Sequence, residues 1–265
     1  MSAMTLAKHE PAGISLRMHI DPDRVFYCGD LGQPTMRRFG ALLVQVSLDS
    51  PVRYRFEGAD WQEGSCVVVQ PYVRHEMWCD TRKVCNLLIE PETVDIRALP
   101  EFLRTTTGAV DSPGFVRRMR DAAFGGPLPA QSLDLAFFHT VLPRRQLDSR
   151  IEAALKNLRH CPNLPDDAAL LAERSGLSVS RFLHLFKQET GCSFRALRAW
   201  KRARLLLATI NQTHNLAQLA QDFGYPDSTH FSHSMRAHYG ISPKNILNGC
   251  RRLRIVNTPA GSAEV

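Results

Sequence analysis

The chain has 265 residues, 44% hydrophobic and 22% charged, with 33 Lys+Arg against 26 Asp+Glu and a net charge of +7. That length and balance suit two domains with real cores and exclude a disordered or fibrous chain. Residues 1–20 lack the apolar stretch of a signal peptide, and no apolar run approaches the roughly 20 residues of a membrane helix, so a cytoplasmic protein with no membrane partner is expected.

Residues 1–35 carry Gly and Pro punctuation and read as one or two strands with loops. From Gly40 the pattern becomes short runs rich in Val, Leu and aromatics: Ala41–Leu48, Val52–Phe56, Cys66–Gln70, Glu76–Cys79 and Val84–Ile89. Turn signals (Asp49-Ser50-Pro51, Gly58, Gly64, Gln70-Pro71, Asp80-Thr81) separate them. Five strands at about ten-residue spacing predict a small antiparallel barrel or sandwich over 1–95. The seven cysteines form no CxxC pair and mostly sit in apolar company, as in Cys66-Val67-Val68-Val69. Reduced, buried thiols are the expectation.

Residues 96–145 turn helical. Asp95–Arg104 (interrupted by Pro100), Pro113–Phe124 and Ser132–Leu142 carry apolar residues at helical spacing. The stripe Leu135, Phe138, Leu142 is either core against the sheets or a dimer seam. Pro143-Arg144-Arg145 marks the joint to the next segment.

Residues 146–256 open with a helix, Leu147–Arg159, whose buried stripe is Ile151, Leu155 and Leu158. The chain then says one thing twice. Leu171-Ala172-Glu173-Arg174-Ser175-Gly176-Leu177 is matched by Leu219-Ala220-Gln221-Asp222-Phe223-Gly224-Tyr225. Phe182, His184 and Gly191 are matched by Phe231, His233 and Gly240. Each copy reads as helix, glycine turn, helix. Asp166 and Asp167, and Asn215, are candidate N-caps of the first helices. Ser178 and Pro226-Asp227-Ser228 restart the second ones, with Pro226 in the first turn. A helix-like segment, Phe194–Ile210, joins the copies, and 257–265 is a tail.

These residues resemble the DNA-binding domain of the AraC/XylS family of bacterial transcription regulators. The motif stands as Ala220…Gly224-Tyr225, then Thr229-His230-Phe231-Ser232-His233-Ser234-Met235-Arg236, then Gly240-Ile241-Ser242-Pro243. It departs from the family pattern at His233, Met235, Ile246-Leu247 and Ala199. The resemblance implies an α+β fold: an N-terminal cupin-like antiparallel β-barrel with a helical linker, then an all-α domain with two helix-turn-helix motifs. It also implies double-stranded promoter or operator DNA as partner, RNA polymerase contact by an activator, homodimerisation, and a small-molecule effector. Gln70-Pro71-Tyr72-Val73-Arg74-His75 is similar to the Pro-then-His stretch of the family's barrels.

Charge agrees with the DNA reading. Residues 146–256 hold 16 Lys+Arg and 8 Asp+Glu, whereas 1–145 hold 17 of each. The positive excess sits on the duplicated segment, as phosphate neutralisation requires. Helix faces nominate Ser180, Arg181, Leu183, His184 and Lys187 in the first unit and Ser228, Thr229, His230, Ser232, His233 and Arg236 in the second as DNA-binding residues. Arg174, Arg198, Lys201, Arg202, Arg204 and Lys244 join Lys187 and Arg236 as phosphate candidates. An imidazole at His233 lacks the two-pronged fork with which Arg reads guanine.

No catalytic constellation, cofactor or metal is expected. There is no G-x-S-x-G, P-loop or H-E-x-x-H. Metal-binding cupins converge several imidazoles on one ion, while His75 is the sole histidine between 21 and 138. Arg55, Tyr72, Arg74, His75 and Trp78 are the effector-binding candidates. A cupin-type metal enzyme fused to a DNA-binding domain, and a ligand-independent regulator, are the alternatives.

Overall fold

The computed structural model describes residues 16–33, 35–125, 128, 132–160, 168–209, 216–240, 242–244, 246 and 254–257. The strands are β1 (Arg17–Ile20), β2 (Arg24–Asp30), β3 (Leu42–Ser47), β4 (Val52–Phe56), β5 (Gln62–Gly64), β6 (Cys66–Val69), β7 (His75–Trp78), β8 (Lys83–Ile89), β9 (Gly108–Ala109) and β10 (Arg254–Asn257). The helices are α1 (Glu101–Thr105), α2 (Pro113–Ala123), α3 (Leu133–Phe138), α4 (Ser149–His160), α5 (Ala168–Arg174), α6 (Val179–Thr190), α7 (Phe194–Thr209), α8 (Leu216–Asp222) and α9 (Ser228–Tyr239).

The α+β fold expected from the sequence is present, but the barrel is not closed. A seven-stranded sheet, ordered β10-β1-β2-β8-β3-β6-β9, faces a three-stranded sheet, β5-β4-β7. Ser65 alone separates β5 from β6, so the chain changes sheet there without pairing the two edges. Alternation sorts the side chains. One face of the large sheet (Met18, Val25, Leu43, Val67, Val69, Leu88) packs with Val52, Tyr54 and Met77 of the small sheet. The other face (Phe26, Cys28, Val44, Val46, Val68, Cys85, Leu87) is covered by Leu103, Phe115, Met119 and Phe137. A sheet covered on both faces reads as continuous apolar runs, which is why β3, β6 and β8 looked as they did.

The Phe137 ring lies tilted against Phe26 with centroids 5.2 Å apart, and Leu142 is also buried. Leu133 and Phe137 of the last linker helix are therefore core, whereas Leu135 and Phe138 of the expected stripe are half-buried. That helix stops at Phe138, shorter than expected, because His139 takes a left-handed conformation (φ 62). Asp134 accepts a bidentate pair from Arg24 at 2.8 and 3.3 Å, pinning α3 to the start of β2.

The helical C-terminal segment shares its core with the sheets. Ile151, Leu155, Phe182, Phe186, Trp200, Phe231 and Met235 belong to the same apolar cluster as Met18, Leu43 and Tyr54. Trp200 of α7 is the join: its ring meets Phe39 edge-on at 5.9 Å, and a Cβ on Gly40 would lie 2.3 Å from its Cγ. The last strand, β10, returns to pair in parallel with β1, Arg17 opposite Arg254.

Glycine at position 40 is a close-approach requirement, and Trp200 is fully buried and unable to swing away. Gly40→Ala is expected to cost about 1–3 kcal/mol through overpacking, seen as a lower urea midpoint; an unchanged midpoint would show that the join is loosely packed.

Candidate nucleic-acid interface

Both helix pairs are built by local chemistry that the chain repeats. Gly176 (φ 65) and Gly224 (φ 67) turn the first helix of each pair into the second through backbone conformations that a Cβ would strain. Ser178 caps α6, its hydroxyl accepting the Arg181 amide at 3.4 Å. Asp227 caps α9 more fully: one carboxylate oxygen accepts the Thr229 and His230 amides at 2.8 Å each, and the other meets His230 Nδ1 at 2.9 Å. The His230 amide, followed by its ring, holds this exposed carboxyl below the usual range. Pro226 lies one residue before the cap rather than in the first turn. Asp166, Asp167 and Asn215 lie outside the described residues.

Inward-facing aromatics set the depth of each second helix. Phe182 and Phe186 pack on Phe194 at 5.9 and 5.2 Å, and Phe231 packs on Tyr225 at 5.2 Å. Met235, where the family motif carries Phe, is fully buried. With those faces committed, Ser180, Arg181, Leu183, His184 and Lys187 point to solvent on α6, and Ser228, Thr229, His230, His233 and Arg236 do so on α9. Ser232 is half-buried. The His230 ring, engaged with Asp227, leans toward the cap.

The phosphate candidates divide sharply. Arg174, Lys187, Arg236 and Lys244 are exposed, and Arg202 is half-buried with its guanidinium 5.9 Å from the Tyr225 ring centroid. Arg198, Lys201 and Arg204 are buried, so reading them as phosphate contacts was wrong. The sequence offered them as cations close to the duplicated helix pairs, but Lys201 and Arg204 are taken up by the N-terminal segment. Lys201 Nζ bridges Glu90, and it meets Glu92 at 2.5 Å. Arg204 reaches Glu90 at 3.5 Å and donates to the carbonyls of Asp21 and Arg24. Arg159 of α4 adds an ion pair with Asp23 at 2.9 Å. Burial alone would raise the Glu90 pKa, but the Lys201, Arg204 and Arg159 charges hold it below the usual range; burial pushes Glu92 up despite Lys201, with Glu90 adding to the rise. Acidic residues on the turn after β8 are what the sequence reading lacked, since nothing local ties position 90 to position 201.

The effector candidates are not gathered at one place. Arg55 pairs with Glu76 at 2.7 Å and lies 4.8 Å from the Trp61 ring, Arg74 pairs with Glu57, and Trp78 donates to Asp80 at 3.3 Å. All three engage the outer side of the small sheet or its loops. His75 and Tyr72 point inward. His75 is fully buried, stacked on Phe39 at 5.6 Å, with Nδ1 3.0 Å from the Val73 carbonyl. Burial, then the Arg37 charge, pushes its pKa down to about 3, so the ring is neutral. Tyr72 sits in a left-handed conformation (φ 64), and burial, with Cys192 close by, pushes its phenol up. Among the described residues no group of three His, Cys, Asp or Glu is placed to hold a metal ion, and no helix is long and apolar enough to cross a membrane.

Residues 171–249 match the family model described as a helix-turn-helix domain. The C-terminal unit is an AraC-type helix-turn-helix domain. The invasion protein InvF of Salmonella typhimurium is 32% identical over 80 residues, covering 30% of this chain and 37% of that protein. The arabinose operon regulatory protein of Escherichia coli is 32% identical over 108 residues, covering 39% of this chain and 36% of that one. The chain thus spans little more than a third of the length of the curated relatives it matches. ToxT from Vibrio cholerae shares the fold over 85% of this chain and 96% of its own, with a TM-score of 0.57 at 11% identity.

Within the AraC-type domain, two lysines then play opposite parts. Lys201→Ala leaves buried carboxylates uncompensated and is expected to cost about 3–5 kcal/mol of stability. Lys187→Ala on exposed α6 is expected to change stability by less than about 0.5 kcal/mol and to lower the salt slope of DNA binding by about one. Chemical denaturation and affinity against salt check the pair; the reverse assignment of effects would contradict the division.

Proposed function

We propose that this chain is a sequence-specific regulator of transcription that binds double-stranded promoter or operator DNA through α6 and α9. The observation that supports this most directly is the matched outward face of the two second helices, both carried on α7. One rigid linking helix can present them to successive major grooves about 34 Å apart. Ser180, Arg181, Leu183 and His184, with Ser228, Thr229, Ser232 and His233, reach base edges; Lys187 and Arg236 contact phosphates, and His230 supports the α9 cap at the duplex. The proposal has the protein act in the cytoplasm as a homodimer and as an activator that meets RNA polymerase.

The domain division is part of the same reading: residues 1–95 sense or dimerise, 96–145 link, 146–256 bind DNA and 257–265 form a tail. A small-molecule effector enters through the N-terminal sheets, with His75 and Tyr72 as its inward-facing candidates and Arg55, Arg74 and Trp78 outside them. ToxT, which shares the fold, has been crystallised with an unsaturated fatty acid bound. We assign no enzymatic role. A cupin-type metal centre draws no support from His75, whose neighbour is the Arg37 guanidinium.

The test is a nuclease footprint of the full chain on DNA upstream of its own and adjoining genes, at two salt concentrations. The proposal expects discrete protection of two adjacent major grooves per subunit, weakening as salt rises. Diffuse coating without discrete sites, at either concentration, would contradict sequence-specific reading.

A further inference from the structure

The large sheet carries a chemical arrangement that DNA binding does not use. Register places Arg17 of β1 opposite Cys28 of β2, Cys28 opposite Cys85 of β8, Cys85 opposite Val46 of β3, and Val46 opposite Cys66 of β6. Directly opposite residues of antiparallel strands share a face. The five side chains therefore form one row across the sheet, beneath α2. Opposite Cα atoms in antiparallel pairs are about 4.5 or 5.5 Å apart, and disulfides form across about 4.4–6.8 Å. Cys28 and Cys85 thus meet the backbone requirement of a bridge without any strand moving. Cys66 does not: Val46 stands between, leaving it two strand spacings, about 9.5 Å, from Cys85.

We propose that Cys28 and Cys85 are a peroxide-reactive dithiol that closes to a cross-strand disulfide. Cys28 is the attacking sulfur. The Cys85 thiol hydrogen-bonds to it, and the Arg17 and Lys83 charges oppose burial, so its pKa is lowered, whereas the same hydrogen bond and burial push Cys85 up. The Cys85 hydrogen has a second acceptor in the Met119 carbonyl at 3.6 Å. Both thiols are fully buried, but the row runs on through buried Arg17 to Arg254 of β10, which is exposed. A water-sized peroxide suits that route; a bulky oxidant does not.

The reaction balances with hydrogen peroxide as the only added reagent. The Cys28 thiolate attacks one peroxide oxygen and the O–O bond breaks. Cys28 becomes a sulfenic acid, and the hydroxide released takes the proton Cys28 gave up. The Cys85 sulfur then attacks the sulfenic sulfur. The S–S bond forms, the S–O bond breaks, and hydroxide leaves as water with the Cys85 proton. Two thiols lose two electrons, and the peroxide becomes two waters.

The site also has a mechanical context. Four residues along the same ladder, Arg24 pairs with Ile89. Arg24 supplies a carbonyl to Arg204, and Glu90 follows Ile89 to hold Lys201. A bridge between β2 and β8 therefore locks the strand pair that grips α7.

The experiment is peptide mapping of the intact full chain after graded hydrogen peroxide, followed by alkylation in denaturant. The expected product is a linked peptide pair containing Cys28 and Cys85, lighter by two hydrogens, formed equally in Cys66→Ser. In Cys85→Ser, dimedone should trap a sulfenic acid at Cys28; if that variant fails to fold, the map of the unaltered chain decides alone. The proposal is overturned if both cysteines remain alkylatable at peroxide levels that oxidise the half-buried Cys192, or if the bridge joins any other pair.

Discussion

The rest of the structure depends on four ionisable side chains, Glu90, Glu92, Lys201 and Arg204, that have left water together. Lys201 of α7 meets both Glu90 and Glu92 and Arg204 meets Glu90, with the partly exposed pair of Arg159 and Asp23 alongside. Such a cluster contributes little net stability over an apolar packing of equal shape, because desolvation offsets the attraction. What it contributes is registry. A buried charge tolerates no slip of its partner, so α7 is held at one angle and one height against the turn after β8. Trp200 against Gly40 and Phe39 fixes the same helix from its apolar side.

Both recognition units inherit that registry. α6 packs through Phe182 and Phe186 on Phe194, the first residue of α7, and α9 packs on α7 with the Tyr239 hydroxyl donating to the Ala203 carbonyl at 2.9 Å. The second unit is also tied to the N-terminal sheets. His238 Nδ1 lies 3.0 Å from the Arg38 carbonyl, and the Thr35 hydroxyl donates to the Gly240 carbonyl at 2.6 Å. The outer sides of α6 and α9, which we propose face DNA, stay open while their backs are committed. Glu90 and Thr35 thus tie the N-terminal sheets to α7 and to the end of α9, so under the proposed function a shift at either would act on the spacing between the two helix faces without any contact with DNA.

Much of this was legible in the sequence, for identifiable reasons. The duplicated helix pairs were visible because Gly176 and Gly224, and Gly191 and Gly240, sit where left-handed backbone is obligatory, so the repeat survives wide divergence around them. Strands β3, β4, β6 and β8 were visible because Val, Leu, Ile and aromatics fill them between clear turns, and β7 because Met77 and Trp78 lie between the turns at Gln70-Pro71 and Asp80-Thr81. Strands β5, β9 and β10 were not: Gln62–Gly64 and Gly108–Ala109 carry no propensity signal, and Arg254–Asn257 is a strand only because β1 offers an edge. The open barrel escaped notice because closure depends on which edges pair, and no local pattern states that. Lys201 and Arg204 were misread for a related reason. A basic residue on a helix near DNA-reading helices looks like a phosphate contact until a distant carboxylate pair is known to cover it.

The central claim is that α7 holds two reading helices in fixed relation. It is tested most directly by inserting about five base pairs, half a helical turn, between the two protected grooves of a footprinted site and measuring affinity. A rigid pair predicts that binding falls to the level of a protein whose α9 face has been blunted by Ser228→Ala, Thr229→Ala and His233→Ala, because only one unit can then engage. Affinity unchanged by the insertion would mean that the units read DNA independently, and the registry argued from Lys201 and Trp200 would be contradicted.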